Sequence, residues 1–343
     1  MVPPRLIVLG RLLAQAAPRL RTARRVLADY ADRAGPPITL GLLILYFALS
    51  TKHFWELGNF VNIGTQSAAV GIVAVGETLV IISGGIDLSV GSVVVLSGVA
   101  AAVAARDGAP LWMALLLGVT VGALAGAFSG LITALARMPS FVVTLGMMMV
   151  CRGAALVLAE SKTVMPPGSF GDLGAPLKLP LSGHLVMNVP PILVVLAVVA
   201  VLMGILLRYT TVGRYAYALG GNMEAARLSG VPVAAYQVVI FAICGLLSGL
   251  AGVLLATRLG VASPSGAPEY ELQAIAATVI GGASLMGGRG GVGGTFVGFL
   301  IMGVLLNGLN LQGRQPPWQK IAVGATIIIA VFADHLRRRR RAG

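Results

Sequence analysis

The sequence predicts an all-α integral membrane protein with about ten transmembrane helices, some of them short or broken by glycine. Hydrophobic residues make up 57% of the 343-residue chain, charged residues only 11%, and the mean hydropathy is +0.91. A soluble domain carries about 25% charged residues, so this chain lacks the polar surface that a soluble fold requires. Apolar runs also recur along the chain at close to the length of about 20 residues that crosses a bilayer.

Ten segments qualify as candidate spans. In chain order they are 36–51, 60–82, 88–105, 110–136, 140–159, 190–207, 235–257, 272–286, 291–310 and 318–334. The first and the eighth are short. Pro190 and Pro191 suit the first turn of the sixth span, because a missing backbone N–H does no harm there. An even number of spans places both termini on the same side of the membrane.

The distribution of charge predicts which side that is. The net charge of +13 would suit nucleic acid, but many arginines lie in two terminal blocks, Arg5 to Arg33 and Arg337 to Arg341. Such blocks beside apolar spans are typical of cytoplasmic anchors that contact anionic lipid headgroups. With both termini inside, the inner segments hold 17 of the 25 Lys and Arg residues, the outer segments hold 7, and Arg152 lies within a span. We therefore expect cytoplasmic termini, an outward-facing segment at 160–189 and no nucleic-acid partner.

Three regions follow from this arrangement. We expect a basic cytoplasmic arm at 1–35, a transmembrane domain at 36–334 with a cytoplasmic loop at 208–234, and a basic cytoplasmic tail at 335–343.

The two cysteines, Cys151 and Cys244, both lie inside apolar runs. They are expected to be small buried side chains, because no spacing suggests a disulfide framework or a metal site.

The stretch "GGIDLSVGS", Gly84 to Ser92, puts a carboxylate and flexible backbone between two apolar runs. A charge at the centre of a spanning helix costs about 2.5–3.5 kcal/mol on insertion scales, and irregular backbone at membrane depth needs protein or water around it. One interpretation is a polar hinge that lines a path for a polar solute. The other is a turn near the cytoplasmic side, in which Asp87 or Ser89 caps the third helix. We expect Asp87 first to fix the start of that helix, and only second to contact a solute.

A weak internal similarity pairs this stretch with a later one. "LVIISGGIDLSVGSVVVLSG" and "ATVIGGASLMGGRGGVGGTF" each contain an apolar run, a glycine-rich break and another apolar run. Paired broken segments in two halves of a chain are typical of transporters and point toward the binding site. Composition bias alone could also produce the match, so a true repeat stays open.

The loop 213–233, "GRYAYALGGNMEAARLSGVPV", predicts a short cytoplasmic helix with definite ends. Asn222 is a good N-cap, and Glu224 in the first turn suits the positive end of the helix dipole. Gly230 can end the helix in a left-handed conformation, and Pro232 prevents its continuation. A rigid helix at this place is suited to docking into a partner's groove; the alternative is a surface helix without a partner.

These motifs together resemble the membrane permease of a bacterial ribose-type (monosaccharide) ABC importer. The resemblance rests on "GETLVIISGGIDLSVGS", "ALGGNMEAARLSGV", "CGLLSGLAGVLLATRL", "YELQAIAATVIGGASLMGGRGGVGGT" and "NGLNLQG", in this order, and covers roughly residues 37–334. It implies an inner-membrane permease homodimer, two cytoplasmic ATPase domains and an extracytoplasmic sugar-binding protein. The residues that it predicts to contact the ATPase are Gly221, Asn222, Glu224, Ala225, Ala226, Arg227 and Gly230. The chain departs from the pattern at Glu77, where an uncharged residue is expected, and in its longer basic arm.

No sequence motif supports an enzymatic role. Gly288 to Gly293 reads "GRGGVG", but a dinucleotide fingerprint needs a soluble strand before it and an acidic residue about 20 positions later. No GxxxxGK[ST] occurs in the chain, so ATP and Mg²⁺ are expected on the partner ATPase and no cofactor on this chain. The alternative function is a gradient-driven secondary transporter that uses Asp87 and Glu77 as its ion site.

The polar residues within spans are candidates for the translocation path. They are Gln66, Glu77, Asp87, Ser89, Ser92, Asn307 and Asn310. Hydrogen bonding between helices would explain the amides equally well. Glu77 and Arg152 are a candidate ion pair, since ionisable groups within spans usually pair. Glu269 and Glu271, on the predicted outer side, are candidate contacts for a binding protein; a merely solvated loop is the alternative.

Overall fold

The computed structural model describes residues 34–182 and 185–342, and it is built almost entirely of helices. The predicted arm at 1–35 lies almost wholly outside the described residues. The helices are α1 Ala34–Ser50, α2 Leu57–Ile82, α3 Val90–Arg106, α4 Leu111–Ala136, α5 Ser140–Leu158, α6 Gly168–Asp172, α7 Pro191–Tyr209, α8 Thr211–Gly221, α9 Met223–Leu228, α10 Val233–Leu259, α11 Tyr270–Ile280, α12 Val292–Leu311 and α13 Pro316–Ala342.

Each predicted span falls on one of these helices, but not all the helices are long enough to cross a bilayer alone. Seven are both long and apolar enough (α2, α4, α5, α7, α10, α12 and α13), whereas α1, α3 and α11 are shorter apolar helices. The prediction of an all-α membrane protein is confirmed at this level. The prediction of ten spans with cytoplasmic termini stays a prediction.

The eighth predicted span, 272–286, is wrong in its second half. Helix α11 ends at Ile280, and an irregular segment follows up to Gly291. Four of its glycines, Gly282, Gly287, Gly288 and Gly290, have positive φ angles that side-chain-bearing residues rarely adopt. The glycine-rich break that the sequence shows here therefore begins inside the predicted span, directly after Ile280.

Helix α2 lies at the centre of the molecule. Of its most apolar 18-residue window, 83% is buried inside the protein, compared with 6% for α13 and 22% for α5. Helices α4 and α10 cross close by, because a Cβ on Gly126 would meet the backbone of Phe241 and Gly245. Such glycine contacts let membrane helices approach closely enough to pack without large side chains. The less buried helices present apolar surface outward, as a lipid-facing or partner-facing surface requires.

A small polar region connects α5 to α7, and its strands were not predicted. It contains α6 and the antiparallel pair β1 Leu177–Ser182 and β2 Leu185–Val189. An isolated bridge between Val164 and Ala262 ties this region to the connection between α10 and α11. At the other end of the chain, α13 continues past residue 335, so the predicted tail begins within a helix.

Candidate functional site

The break between α2 and α3 is held by hydrogen bonds from its backbone N–H groups to protein oxygens. Every backbone N–H from Ser83 to Ser89 donates to a protein oxygen. The acceptors, in chain order, are Leu79 O, Ile81 O, Val80 O, Ser140 Oγ, Glu77 Oε1, Thr144 Oγ1 and Asp87 Oδ1, at 2.8–3.2 Å. Irregular backbone within an apolar helical bundle is tolerated only when its polar groups are satisfied in this way. The first break therefore has a defined conformation in which its backbone donors are held by protein oxygens.

The two carboxylates of this region serve as acceptors for the break. Asp87 Oδ1 accepts from both the N–H and the hydroxyl of Ser89, at 2.8 and 2.6 Å, directly before α3 begins. Glu77 Oε1 accepts from the N–H of Asp87 at 3.1 Å, and its other oxygen lies 3.8 Å from the thiol sulfur of Cys244. All four residues are buried. Asp87 thus orients Ser89, the residue directly before α3, as expected from the sequence. The prediction that Asp87 or Ser89 caps α3 with its side chain is wrong, because Asp87 accepts from Ser89 and the Ser89 side chain makes no cap hydrogen bond.

The predicted pairing of Glu77 with Arg152 is wrong. Arg152 instead donates to the carbonyl oxygens of Pro264 and Gly266, at 3.3 and 2.9 Å, in the connection between α10 and α11. Both groups find backbone partners, which removes the need for an ion pair. Sequence alone could not reveal these partners, because they lie on other elements.

The second break, between α11 and α12, packs against the first. The N–H of Gly288 donates to the carbonyl of Ile82, the last residue of α2, at 2.8 Å. The hydroxyls of Thr78 and Thr295 meet at 2.6 Å one turn away from this junction. The glycine-rich stretches that the sequence paired by similarity are therefore joined directly in space.

Helix α8 is seated on both breaks. A Cβ on Gly220 would meet Ile82 O and the backbone of Gly287 and Gly288, so only glycine lets α8 approach this closely. The hydroxyl of Tyr217, one turn earlier, donates to the carbonyl of Gly290 at 2.9 Å. Burial raises the pKa of the Tyr217 phenol above its ordinary value.

Helix α9 projects from this junction and has the ends that the sequence predicted. The Asn222 side chain accepts from the N–H of Ala225 at 2.9 Å. Gly230 has φ of 83°, and the N–H groups of Gly230 and Val231 return to the carbonyls of Arg227 and Ala226. This is the glycine-terminated end described for helices in general. The predicted capping at both ends is confirmed.

The surface of α9 is open. Ala226 is buried toward the rest of the protein, whereas the other residues predicted to contact an ATPase are exposed: Gly221, Asn222, Glu224, Ala225, Arg227 and Gly230. Glu224 and Arg227 form an exposed ion pair at 3.4 Å. Leu228 is 82% exposed. A rigid, capped helix that exposes the apolar side chains of Leu228 and Met223 is a suitable docking element, and its partner stays a prediction.

The remaining path candidates are not brought together. Gln66 and Asn310 are exposed, on α2 and α12. Asn307 donates to Asn59 Oδ1 at 3.0 Å, which is the hydrogen bonding between helices that the sequence left as an alternative. Ser89 is bonded to Asp87, whereas the buried hydroxyl of Ser92 has no hydrogen-bond partner among the described residues.

The two predicted binding-protein contacts differ in their surroundings. Glu269 is paired with Lys320 at 2.7 Å and is partly exposed. Glu271 is half-buried, and its Oε2 atom lies against Gly91 in the first turn of α3 without a hydrogen-bond partner in the described part of the chain. Glu271 therefore points into the helix bundle, and contact with a binding protein stays a prediction for both residues.

Sequence reasoning missed Ser140, Thr144 and Tyr217. The first two lie one turn apart at the start of α5 and hold three backbone groups of the first break, at Ile86 and Leu88. Two hydroxyls spaced by four residues at the start of an apolar span were the available signal, since that spacing places them on one helix face.

Within residues 34–182 and 185–342, no three His, Cys, Asp or Glu side chains come together as metal ligands would.

The structure is a bundle of apolar helices around two joined breaks, and helix α8, next to the capped helix α9, packs on both breaks. These features define a multi-pass membrane permease. Comparisons with known proteins agree. Residues 59–331 match the family described as branched-chain amino acid transport system / permease component. The chain therefore belongs to this permease family, and it is a subunit of an ABC importer in the inner membrane.

Individual relatives cover most of the chain. The ribose import permease of Bacillus subtilis is 41% identical over 306 residues, 88% of this chain and 92% of the relative. That of Haemophilus influenzae is 39% identical over 298 residues, 87% of this chain and 91% of the relative. The D-allose transport system permease of Escherichia coli is 34% identical over 311 residues, 90% and 93% of the two chains. No solved structure matches the chain significantly.

Proposed function

We propose that this chain forms the translocation path of an ATP-driven importer for a monosaccharide or a similar small polar solute. The relatives named for ribose and D-allose support the substrate class. The observation that carries the mechanism is the seating of α8 on both helix breaks, next to the exposed helix α9. This contact connects the surface available to a partner with the irregular backbone inside the bundle.

The geometry suggests how ATP hydrolysis on a partner subunit moves the path. A cytoplasmic ATPase engages α9, whose capped ends keep it rigid. Displacement of α9 carries α8, which precedes it in the chain with only Asn222 between the two helices. Because Gly220 and Tyr217 of α8 contact the second break, and Gly288 of that break bonds to Ile82, the displacement reaches both breaks together. Helices α3 and α12 then change their inclination at the breaks.

The path itself is proposed to run beside the first turn of α3. Two buried oxygens have no hydrogen-bond partner among the described residues. Ser92 Oγ belongs to this turn, and Glu271 Oε2 lies against Gly91 in the same turn. Buried polar atoms without protein partners call for an outside partner such as water or a ligand. Sugar hydroxyl groups can both donate and accept, and they fit this requirement.

The assembly proposed is the one that the family resemblance implies. Two copies of the permease, two ATPase domains that hold ATP and Mg²⁺, and an extracytoplasmic binding protein would complete the importer. Ten spans with cytoplasmic termini fit the arrangement, because the three shorter apolar helices α1, α3 and α11 and the seven long helices together number ten. The exposed apolar faces of α4, α5 and α7 provide surface for lipid and for the second copy.

The test is uptake in proteoliposomes. Permease reconstituted with its ATPase and binding protein is expected to take up radiolabelled D-ribose or D-allose only when ATP is supplied. The alternative, a secondary transporter with Asp87 and Glu77 as its ion site, predicts uptake by the permease alone under a proton or sodium gradient. Uptake of the latter kind would overturn the proposal.

A further inference from the structure

A cavity of about 740 Å³ lies between the first break and helix α9. Its walls are the break at Ser83, Gly84 and Gly85, the end of α4, the starts of α5 and α10, and two side chains of α9. The volume falls within the range of about 300–1,000 Å³ that is usual for small-molecule sites. The transport cycle described above gives this cavity no occupant.

The cavity is cationic. Arg137 and Arg227 line it, and no Asp or Glu is among the described residues of its walls. Arg137 follows α4 in a left-handed conformation, with φ of 54°, and its guanidinium has no ion pair or hydrogen bond to any residue in the described part of the chain. Arg227 has only the exposed contact with Glu224, and exposed pairs of this kind contribute little. The Arg137 guanidinium is therefore free to bind an anion, and the Arg227 guanidinium can bind one beside its exposed contact with Glu224.

Two helix N-termini add to the positive potential. Helices α5 and α10 begin at the cavity, after Pro139 and Pro232, and neither of these prolines can cap the helix with a side chain. The first N–H groups of a helix lack partners within it and carry a partial positive charge. The cavity thus presents two side-chain cations together with two helix ends of the same sign.

The rest of the lining is apolar and opens beside an apolar surface. Met138, Pro139 and Phe241 line the cavity. Leu135 and Phe141, which flank it in sequence, are 70% and 51% exposed. An occupant with an anionic group and an apolar portion matches such a site. Basic pockets between membrane helices on the cytoplasmic side are suited to anionic lipid headgroups, and Arg binds phosphate with two parallel hydrogen bonds.

We propose that this cavity binds a phosphate group, carried either by an anionic phospholipid or by a soluble phosphate ester. The ligand contacts Arg137 and Arg227, which line the cavity together with the first break. It therefore lies between α9 and the first break, two elements that the proposed transport cycle couples. Occupancy of the cavity is expected to influence how α9 responds to a partner.

The test is ligand retention by the purified full-length permease, measured by native mass spectrometry. One arm offers phosphatidylglycerol against phosphatidylethanolamine, and the other offers ribose 5-phosphate against ribose. Wild type is expected to retain one phosphate-bearing ligand per chain in at least one arm. Arg137→Gln should weaken that retention roughly tenfold, since hydrogen bonds to charged groups are among the stronger ones. Arg214→Gln, which changes an exposed arginine of α8 outside the cavity, should bind as wild type does.

Retention of phosphatidylglycerol alone would identify a lipid, and retention of ribose 5-phosphate alone would identify a soluble ligand; either supports the proposal. The proposal is overturned if neither probe is retained above its uncharged or zwitterionic counterpart. Equal losses in Arg137→Gln and Arg214→Gln would also overturn it, because they would show general attraction to a basic surface. None of these outcomes depends on which solute the permease transports.

Discussion

At the scale of single residues, the buried carboxylates are structural acceptors. Asp87 and Glu77 each accept a backbone N–H of the first break, and Ser140 and Thr144 do the same from α5. A break inside an apolar bundle leaves N–H groups that water cannot reach, so acceptors must come from side chains. The charge that stood out in "GGIDLSVGS" is thus explained by the backbone around it.

Loss of the Asp87 acceptor should destabilise the protein. Asp87→Ala leaves the N–H of Ser89 buried without a partner, which costs about 1–3 kcal/mol. Asp87→Asn keeps an oxygen in place and should cost clearly less. Unfolding of the purified permease in detergent measures both, with the exposed Asp107→Asn as the control. Equal losses for Asn and Ala would show that the charge, and not the acceptor, is what matters.

Glu77 should tolerate neutralisation. Glu77→Gln retains an amide oxygen that can accept from the N–H of Asp87, so ATP-driven uptake in proteoliposomes is expected to stay near the wild-type rate. Glu77→Leu removes the acceptor and should lower stability and uptake together. A folded Glu77→Gln protein that has lost uptake would instead indicate a titrating group, as a gradient-driven transporter requires.

At the scale of elements, local signals predicted local structure well. Asn222 and Gly230 bound α9 in the structure as in the sequence, because capping depends on neighbours within a few residues. The glycine-rich breaks were also recognisable. The hydroxyls of α5 that hold the first break were not, since Thr144 and Leu88 are 56 residues apart. The Glu77–Arg152 pairing failed for the same reason: nothing local specifies which helices touch.

The cap of α9 should matter for docking. Asn222→Ala removes the acceptor for the N–H of Ala225, which costs about 1 kcal/mol of helix stability. A helix of six residues has little else to hold its first turn. We expect weaker binding of the partner ATPase, measured by titration in detergent, with unchanged unfolding of the transmembrane domain. Asn222→Ser, which can still cap, is the matched control and should bind as wild type does; unchanged binding in Asn222→Ala would count against docking through α9.

At the scale of the whole molecule, one continuous set of contacts links the partner-facing surface to the interior. It runs from α9 through α8 to the second break and on to the first, which ends the central helix α2. The composition predicted the membrane-spanning class, and the motifs predicted the family. Neither could show that the two breaks and the loop meet, because this junction consists of backbone contacts between segments more than 60 residues apart in the chain.

Two neighbouring glycines allow this linkage to be tested. A Cβ on Gly220 would meet the backbone of both breaks, whereas a Cβ on Gly221 would meet nothing within 4 Å. The decisive measurement is the ratio of sugar imported to ATP hydrolysed by the complete importer in proteoliposomes. We predict that Gly220→Ala lowers this ratio severalfold while ATPase binding persists, and that Gly221→Ala leaves it unchanged. A normal ratio in a folded Gly220→Ala importer would contradict the role assigned to this junction.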